Sequence, residues 1–150
     1  MQDQIKATGE LQIVLKDENG NVKDERLVKN LVVNVGKNFL VSRALGTSSA
    51  VMSAMAVGTN STVAATSDTT LGTETARVSG ANFVAAVGSS SNILSYTGTF
   101  GPGVGTGSLT EAGIFNSTTT GGVLLARTVF SVINKAAGDS LAIAWNITLN

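Results

Sequence analysis

LAIAWNITL, residues 141–149, is the stretch that decides the fold. Leu141, Ile143, Trp145, Ile147 and Leu149 occupy every second position, with Ala142, Ala144, Asn146 and Thr148 between them. A period of two sends alternate side chains to opposite faces, and β-branched and aromatic residues suit a pleated surface. The stretch therefore predicts a half-buried strand with the large residues inward.

The same reading works outward along the chain. VLLARTVFSV, 123–132, predicts a strand with Leu124, Ala126, Thr128, Phe130 and Val132 on one face. NILSYTGTF, 92–100, places Leu94, Tyr96 and Phe100 together, and SLTEAGIF, 108–115, and VMSAMAV, 51–57, add two more strands. ARVSGANFVAAV, 76–87, reads as one strand with a bulge at Gly80. LVKNLVVNV, 27–35, is β-branched and strand-like. ELQIVLK, 10–16, turns Leu11, Ile13 and Leu15 one way, Asn19-Gly20 supplies a two-residue hairpin signal, and the return strand is 21–29. Only GKNFLVSRALG, 36–46, has helical spacing, with Phe39 and Leu40 inward and Gly46 closing it. Roughly eight strands with closely spaced turns predict an all-β fold: an antiparallel β-sandwich or jelly roll with one short helix and an N-terminal β-hairpin.

Charge divides the chain. Residues 1–30 hold eleven charged side chains, and the remaining 120 residues hold nine. The expected organisation is a charged hairpin or arm over 1–30, removable from a β-sandwich domain over 31–150. A body surfaced by Ser, Thr, Gly, Ala and Asn is cheaper to desolvate than one covered by Lys and Glu, which points to self-assembly or docking. Ten basic residues balance ten acidic ones, so no cationic excess exists to neutralise a phosphate backbone, and no nucleic-acid partner is expected. With neither cysteine nor histidine in the chain, disulfides, thiolate chemistry and histidine-based triads and metal sites are excluded. Met1 is followed by polar QDQIK, and no signal-peptide or membrane-spanning run appears, so synthesis in a cytoplasm and no membrane partner are expected.

MAVGTNSTVAATSDTTLGTETAR, 55–77, opens as a strand and continues as a long polar segment. Loops of this length are either disordered or functional. Leu71 is its lone large apolar residue, and Glu74 and Arg77 end it with groups suited to charge-assisted bonds. An ordered loop pinned by Leu71 is expected. The carboxylates of the body are Asp68, Glu74, Glu111 and Asp139. A glycosidase needs two carboxylates flanking a cleft, but the accompanying aromatic and cationic residues are scarce. Glu111, in TEAG, is expected to pair with Arg127 or Arg77 or to bind backbone amides. GPGVGTG, 101–107, lacks dinucleotide-fingerprint spacing and leads into a strand, so it reads as a flexible or interface loop. Asn60-Ser-Thr62, Asn116-Ser-Thr118 and Asn146-Ile-Thr148 match the glycosylation triplet by chance in a Thr-rich chain. No catalytic residue, cofactor site or metal site is expected.

Taken together, LVVNVGKNFLVSRALG, the 55–77 stretch, LTEAGIFN, GGVLLARTVFS and LAIAWNITL resemble a group of small tailed-bacteriophage virion proteins. That group has a "VGT…A…SDT.LG.E..R" stretch, then "TEAG.F", "LLAR..F" and a final "W.I" strand. The resemblance covers residues 27–150 and implies a non-enzymatic structural component of the particle. It implies either a head decoration (cement) protein binding the major capsid protein on the outer surface, or a tail or tail-fibre module binding other tail proteins. With no shaft repeats in a chain of this size, the cement protein is preferred, as a homo-oligomer with a trimer expected from the threefold axes of heads and fibres. Lys16, Lys23, Asp24, Glu25 and Arg26 are the candidate capsid contacts. Thr59, Asn60, Asp68, Leu71, Gly101, Pro102 and Gly103 are the candidate inter-subunit loop residues. A carbohydrate-binding module for host adsorption is the third reading.

Overall fold

The computed structural model describes residues 4–47 and 50–150. It is all-β, with nine strands: β1 (Ala7–Lys16), β2 (Val22–Val32), β3 (Ala54–Gly58), β4 (Glu74–Ser79), β5 (Phe83–Val87), β6 (Ile93–Phe100), β7 (Gly107–Phe115), β8 (Leu124–Lys135) and β9 (Ser140–Leu149). Helix α1 (Asn34–Ala44) follows β2, and a 3₁₀ turn (Gly80–Asn82) separates β4 from β5. All pairings are antiparallel, in the order β4-β3-β7-β8-β2-β1-β9-β6-β5. The sheet curls until β4 and the 3₁₀ turn pack against β6. The result is barrel-like and nearly closed, rather than two cleanly separated layers.

Strand β9 behaves as its alternation predicts. Leu141, Ile143, Trp145 and Ile147 are fully buried, and Ala144 and Asn146 are exposed. They meet Leu11, Ile13 and Leu15 of β1, Phe100 of β6, and Met55, Leu109 and Ile114 of the opposite strands in one core.

The charged hairpin set apart at 1–30 is built into this sheet. β1 lies between β2 and β9, pairing with β9 along its whole length, and Leu11, Ile13 and Leu15 are at most 3 % exposed. Removing residues 1–26 would take three core side chains away and strip β9 of a neighbour, so the hairpin is not a detachable arm. Its turn spans residues 17–21 rather than two residues. The Asp17 carboxylate accepts hydrogen bonds from the amides of Asn19 and Asn21, both at 2.9 Å. An aspartate that caps its own turn competes with the tighter Asn-Gly geometry.

Beyond Leu31↔Arg127 and Val32↔Ala126, β2 and β8 diverge and leave a seam. Arg26 stitches it. Its guanidinium donates to the Ser131 carbonyl and, at 3.0 Å, to the Val132 carbonyl, while Asp24 holds it from behind at 2.7 Å. The seam also corrects the expected face of β8. Leu109 pairs with Ile133 but Glu111 pairs with Val129, so β8 carries two extra residues there. Phe130 stays inward as expected, the inward set then moves to Ile133 and Lys135, and Val132 is turned out at 45 % exposure, while a second irregularity opposite Ile114 and Phe115 turns Leu124 from that face into a separate apolar cluster.

The 76–87 stretch is two strands rather than one bulged strand. Gly80 takes φ +58° at the corner, and the chain crosses from one edge of the sheet to the other. A left-handed residue cannot continue a ladder, so the glycine ends β4. Helix α1 runs over 34–44, two residues earlier than expected. Phe39 is buried and Leu40 packs partly against the core.

Candidate functional site

The long loop 59–73 is ordered and lies over the outer face of β3, β7 and β8. Leu71, 5 % exposed, sits in a second apolar cluster with Val33, Ala56, Phe115 and Leu124. Satellite clusters of this kind form under long loops. β7 is consequently buried on both faces from Glu111 to Phe115.

Glu111 is the centre of the site and is fully buried. Its Oε1 accepts from the amides of Thr73 (2.7 Å) and Asn60 (3.2 Å). Its Oε2 accepts from the Gly72 amide (2.9 Å) and from Arg127 Nε and Nη2 (3.0 and 2.9 Å). Arg127 also donates to Asp68 Oδ2 (2.8 Å) and to the Thr62 carbonyl (3.1 Å). Asp68 Oδ2 in turn accepts from the Ala65 amide at 2.9 Å. One buried guanidinium and two carboxylates thus fix the loop at both ends and its middle, through charge-assisted bonds. Close approach requires glycine at the end of β3. A Cβ at Gly58 would stand 2.2 Å from the Thr73 carbonyl oxygen and 2.5 Å from Glu111 Oε1.

The electrostatics agree with the geometry. Burial opposes the charged form of Asp68, but the Ala65 amide and Arg127 outweigh it and hold its pKa below the usual aspartate value. Burial likewise opposes the charge on Arg127, while Asp68 and Glu111 more than offset it and raise its pKa. Both carboxylates are turned onto one arginine, Glu111 with both oxygens bonded by the protein and Asp68 through Oδ2 alone. They do not face each other across a cleft, which is the arrangement an acid–base pair would need.

A second anchor ends the loop. Arg77 pairs with Glu74 at 2.7 Å, donates to the carbonyls of Ser117, Thr119 and Gly121, and lies 4.0 Å from the centre of the Phe115 ring.

The remaining candidate residues separate into two groups. Lys16 is exposed, Lys23 pairs with Asp139 at 2.6 Å, and Glu25 accepts from Gln12 Nε2 at 2.7 Å. Asp24 and Arg26 are committed to the seam. Thr59, Pro102 and Gly103 are exposed, whereas Leu71 is enclosed and offers no surface to a neighbour. The 101–106 loop is tied down as well. Gly103 donates to the Ala137 carbonyl at 2.8 Å, and the Gly101 carbonyl accepts from Lys135 Nζ at 2.9 Å. Lys135 is 2 % exposed, and nothing in the sequence pattern marks it as buried. Burial pushes its pKa down, partly countered by Asp139. Because Lys16 pairs with Ser140 and Gly107 with Lys135, the 17–21 turn, the 101–106 loop and the 136–139 turn share one end of the barrel.

Among the described residues, no group of three or more acidic side chains is placed to hold a metal ion, and no helix is long and apolar enough to cross a membrane. No family model matches the chain, and no curated protein or solved structure shows significant similarity to it.

Proposed function

We propose that this chain is a non-enzymatic structural protein of a tailed-phage particle, carried on the outer surface of the head as a decoration protein. One observation supports the reading above others. Eight of the residues that carry the phage-protein resemblance (Gly58, Asp68, Leu71, Gly72, Glu74, Arg77, Glu111 and Arg127) clamp the loop to the sheet. A pattern that encodes a scaffold, with the Glu111 carboxylate and the Arg127 guanidinium bound to groups of the protein itself, fits a protein selected for rigidity rather than turnover.

In this reading the end formed by the 17–21 turn and the 101–106 loop meets the shell and neighbouring copies. Lys16, Lys23 and Glu25 supply contacts that salt screens. Binding only the assembled shell stabilises it by mass action. A sugar-binding module would need an aromatic ring to stack on a sugar, and all five phenylalanines, Tyr96 and Trp145 are buried.

The test is cryo-EM of particles carrying the protein, with a parallel co-sedimentation of purified protein with undecorated heads. Regular density on the head, lost when Lys16 and Glu25 are both replaced by alanine, is the expected result. Density confined to the tail would move the protein to the tail. Cleavage of host polysaccharide that Glu111→Gln abolishes would overturn the non-enzymatic reading.

A further inference from the structure

Strand β5 ends the sheet and is hydrogen-bonded on one side only, to β6. The Gly88 amide donates to the Ile93 carbonyl at 2.8 Å, which fixes the phase of this ladder. Bonded and non-bonded pairs alternate in an antiparallel ladder. Val84 and Ala86 therefore turn their backbone groups to β6, and Phe83, Ala85 and Val87 point theirs away from the sheet.

Edge strands are ordinarily protected by charge, proline, a bulge or a covering element. Among the described residues, β5 has none of these. Its sequence is FVAAV, and all but Phe83 are exposed, with Val84 at 56 % and Val87 at 72 %. These two side chains point to opposite faces, so both faces of the strand are open. The surroundings are equally uncharged. No Asp, Glu, Lys or Arg occurs between Arg77 and Glu111 or after Asp139, so β5, β6 and β9 carry no charge.

We propose that β5 is a pairing edge, and that its occupant is β5 of a second copy of this chain. The strand is complementary to itself. Antiparallel pairing about Ala85 sets Ala85 against Ala85 of the second copy, Phe83 against Val87, and Val84 against Ala86. Every facing pair is small or apolar, and no like charges meet. The Phe83 amide already donates to the Gly80 carbonyl, so the outward groups would form about four backbone hydrogen bonds, two between the Ala85 residues and one in each Phe83–Val87 pair. Sheet addition of this kind draws affinity from the main chain and specificity from the alternating side chains. The contact closes on a twofold axis, so it is separate from any threefold packing through the loops. It stands independently of the virion reading.

The test uses the full chain and exploits the self-facing position. Ala85 is exposed, so Ala85→Lys and Ala85→Glu should both fold, as checked by near-ultraviolet circular dichroism of Trp145. Wild type should sediment as a dimer or a higher even-numbered assembly at about 100 µM, and each variant should weaken pairing about tenfold or more, because like charges then face each other. An equimolar mixture of the two variants should restore the assembly. Hydrogen exchange of the Ala85 amide in wild type should slow as protein concentration rises. A wild-type monomer at that concentration, an assembly indifferent to both substitutions, or a mixture that stays apart would overturn the proposal. So would an Ala85 amide that gains protection only when a different virion protein is added, which would assign the edge to a foreign strand.

Discussion

Replacing Glu111 by glutamine tests the loop clamp with almost no change of shape. The carboxylate accepts five hydrogen bonds, two on Oε1 and three on Oε2. Glutamine offers one oxygen and one NH₂ group. Either orientation points the NH₂ at two or more donors: the Asn60 and Thr73 amides, or the Gly72 amide and Arg127. Hydrogen bonds to a charged group contribute about 1.5–3 kcal/mol each, so two lost bonds cost about 3–6 kcal/mol. Removing one partner of a buried ion pair independently costs about 3–5 kcal/mol. Asp68 keeps a carboxylate on Arg127, which places the expected loss at the lower end, about 3 kcal/mol. A domain of ordinary stability survives that loss, so the variant should fold and unfold earlier in urea with an unchanged m-value. Amide exchange at Asn60, Gly72 and Thr73 should accelerate well beyond that of the β1–β9 ladder. A loss below about 1 kcal/mol with those three amides still protected would refute the clamp.

Trp145→Ala should cost about 3–5 kcal/mol in chemical denaturation, since the side chain is fully buried in the main core. Trp145→Phe should cost less, because the indole nitrogen has no hydrogen-bond partner to lose. Asp68 and Asp139 both have folded-state pKa values below the ordinary one. Asp68 owes this to the Ala65 amide and Arg127 outweighing burial, and Asp139 chiefly to Lys23. Depressed carboxylates contribute their stability in full above about pH 4 and lose it as pH falls through the folded values. The midpoint of thermal unfolding should therefore drop in that acid window, and Asp68→Asn should flatten the drop. Arg26→Ala should open the seam between β2 and β8 at a cost of about 1–2 kcal/mol, the bonds being partly exposed, with faster exchange from residue 129 to 133.

Legibility in the sequence followed the regularity of the pattern. β9 and β1 alternate without interruption, and their faces were readable residue by residue. β8 was not, because two extra residues opposite Thr110 change which side chains point in, and nothing local in TVFSVINK records the partner strand's count. The corner at Gly80 read as a bulge because a lone glycine in a β-stretch fits either description until the partners of the two halves are known. In the loop, the pinning role of Leu71 and the structural role of Glu111 were legible from residue type, a lone apolar residue and a carboxylate beside a buried run, while the choice of Arg127 over Arg77 as its partner was not. The route by which Asp68 reaches Arg127 across 59 positions was not, nor was the burial of Lys135, whose partner is a backbone carbonyl.

The charge count along the chain understates how uncharged the body is. Of the nine charged residues after residue 30, Asp68, Glu111 and Arg127 form the clamp, and Glu74 and Arg77 form the second anchor. Lys135 and Asp139 are bound at the loop end of the barrel. Only Lys37 and Arg43, both on α1, lie outside these three groups. The outer faces of β9, β6 and β5 are therefore solvated by hydroxyls, amides and small apolar groups alone. Removing such a surface from water costs far less than removing lysines and glutamates. The charges that a monomer would spread over its exterior are instead used to hold one long loop against the sheet and to anchor its ends. The first strand pair keeps most of the charge that faces solvent. A barrel charged on one side and bare on the other is the asymmetry that the proposed β5 pairing would use, and the Ala85 charge-reversal pair tests the bare side directly.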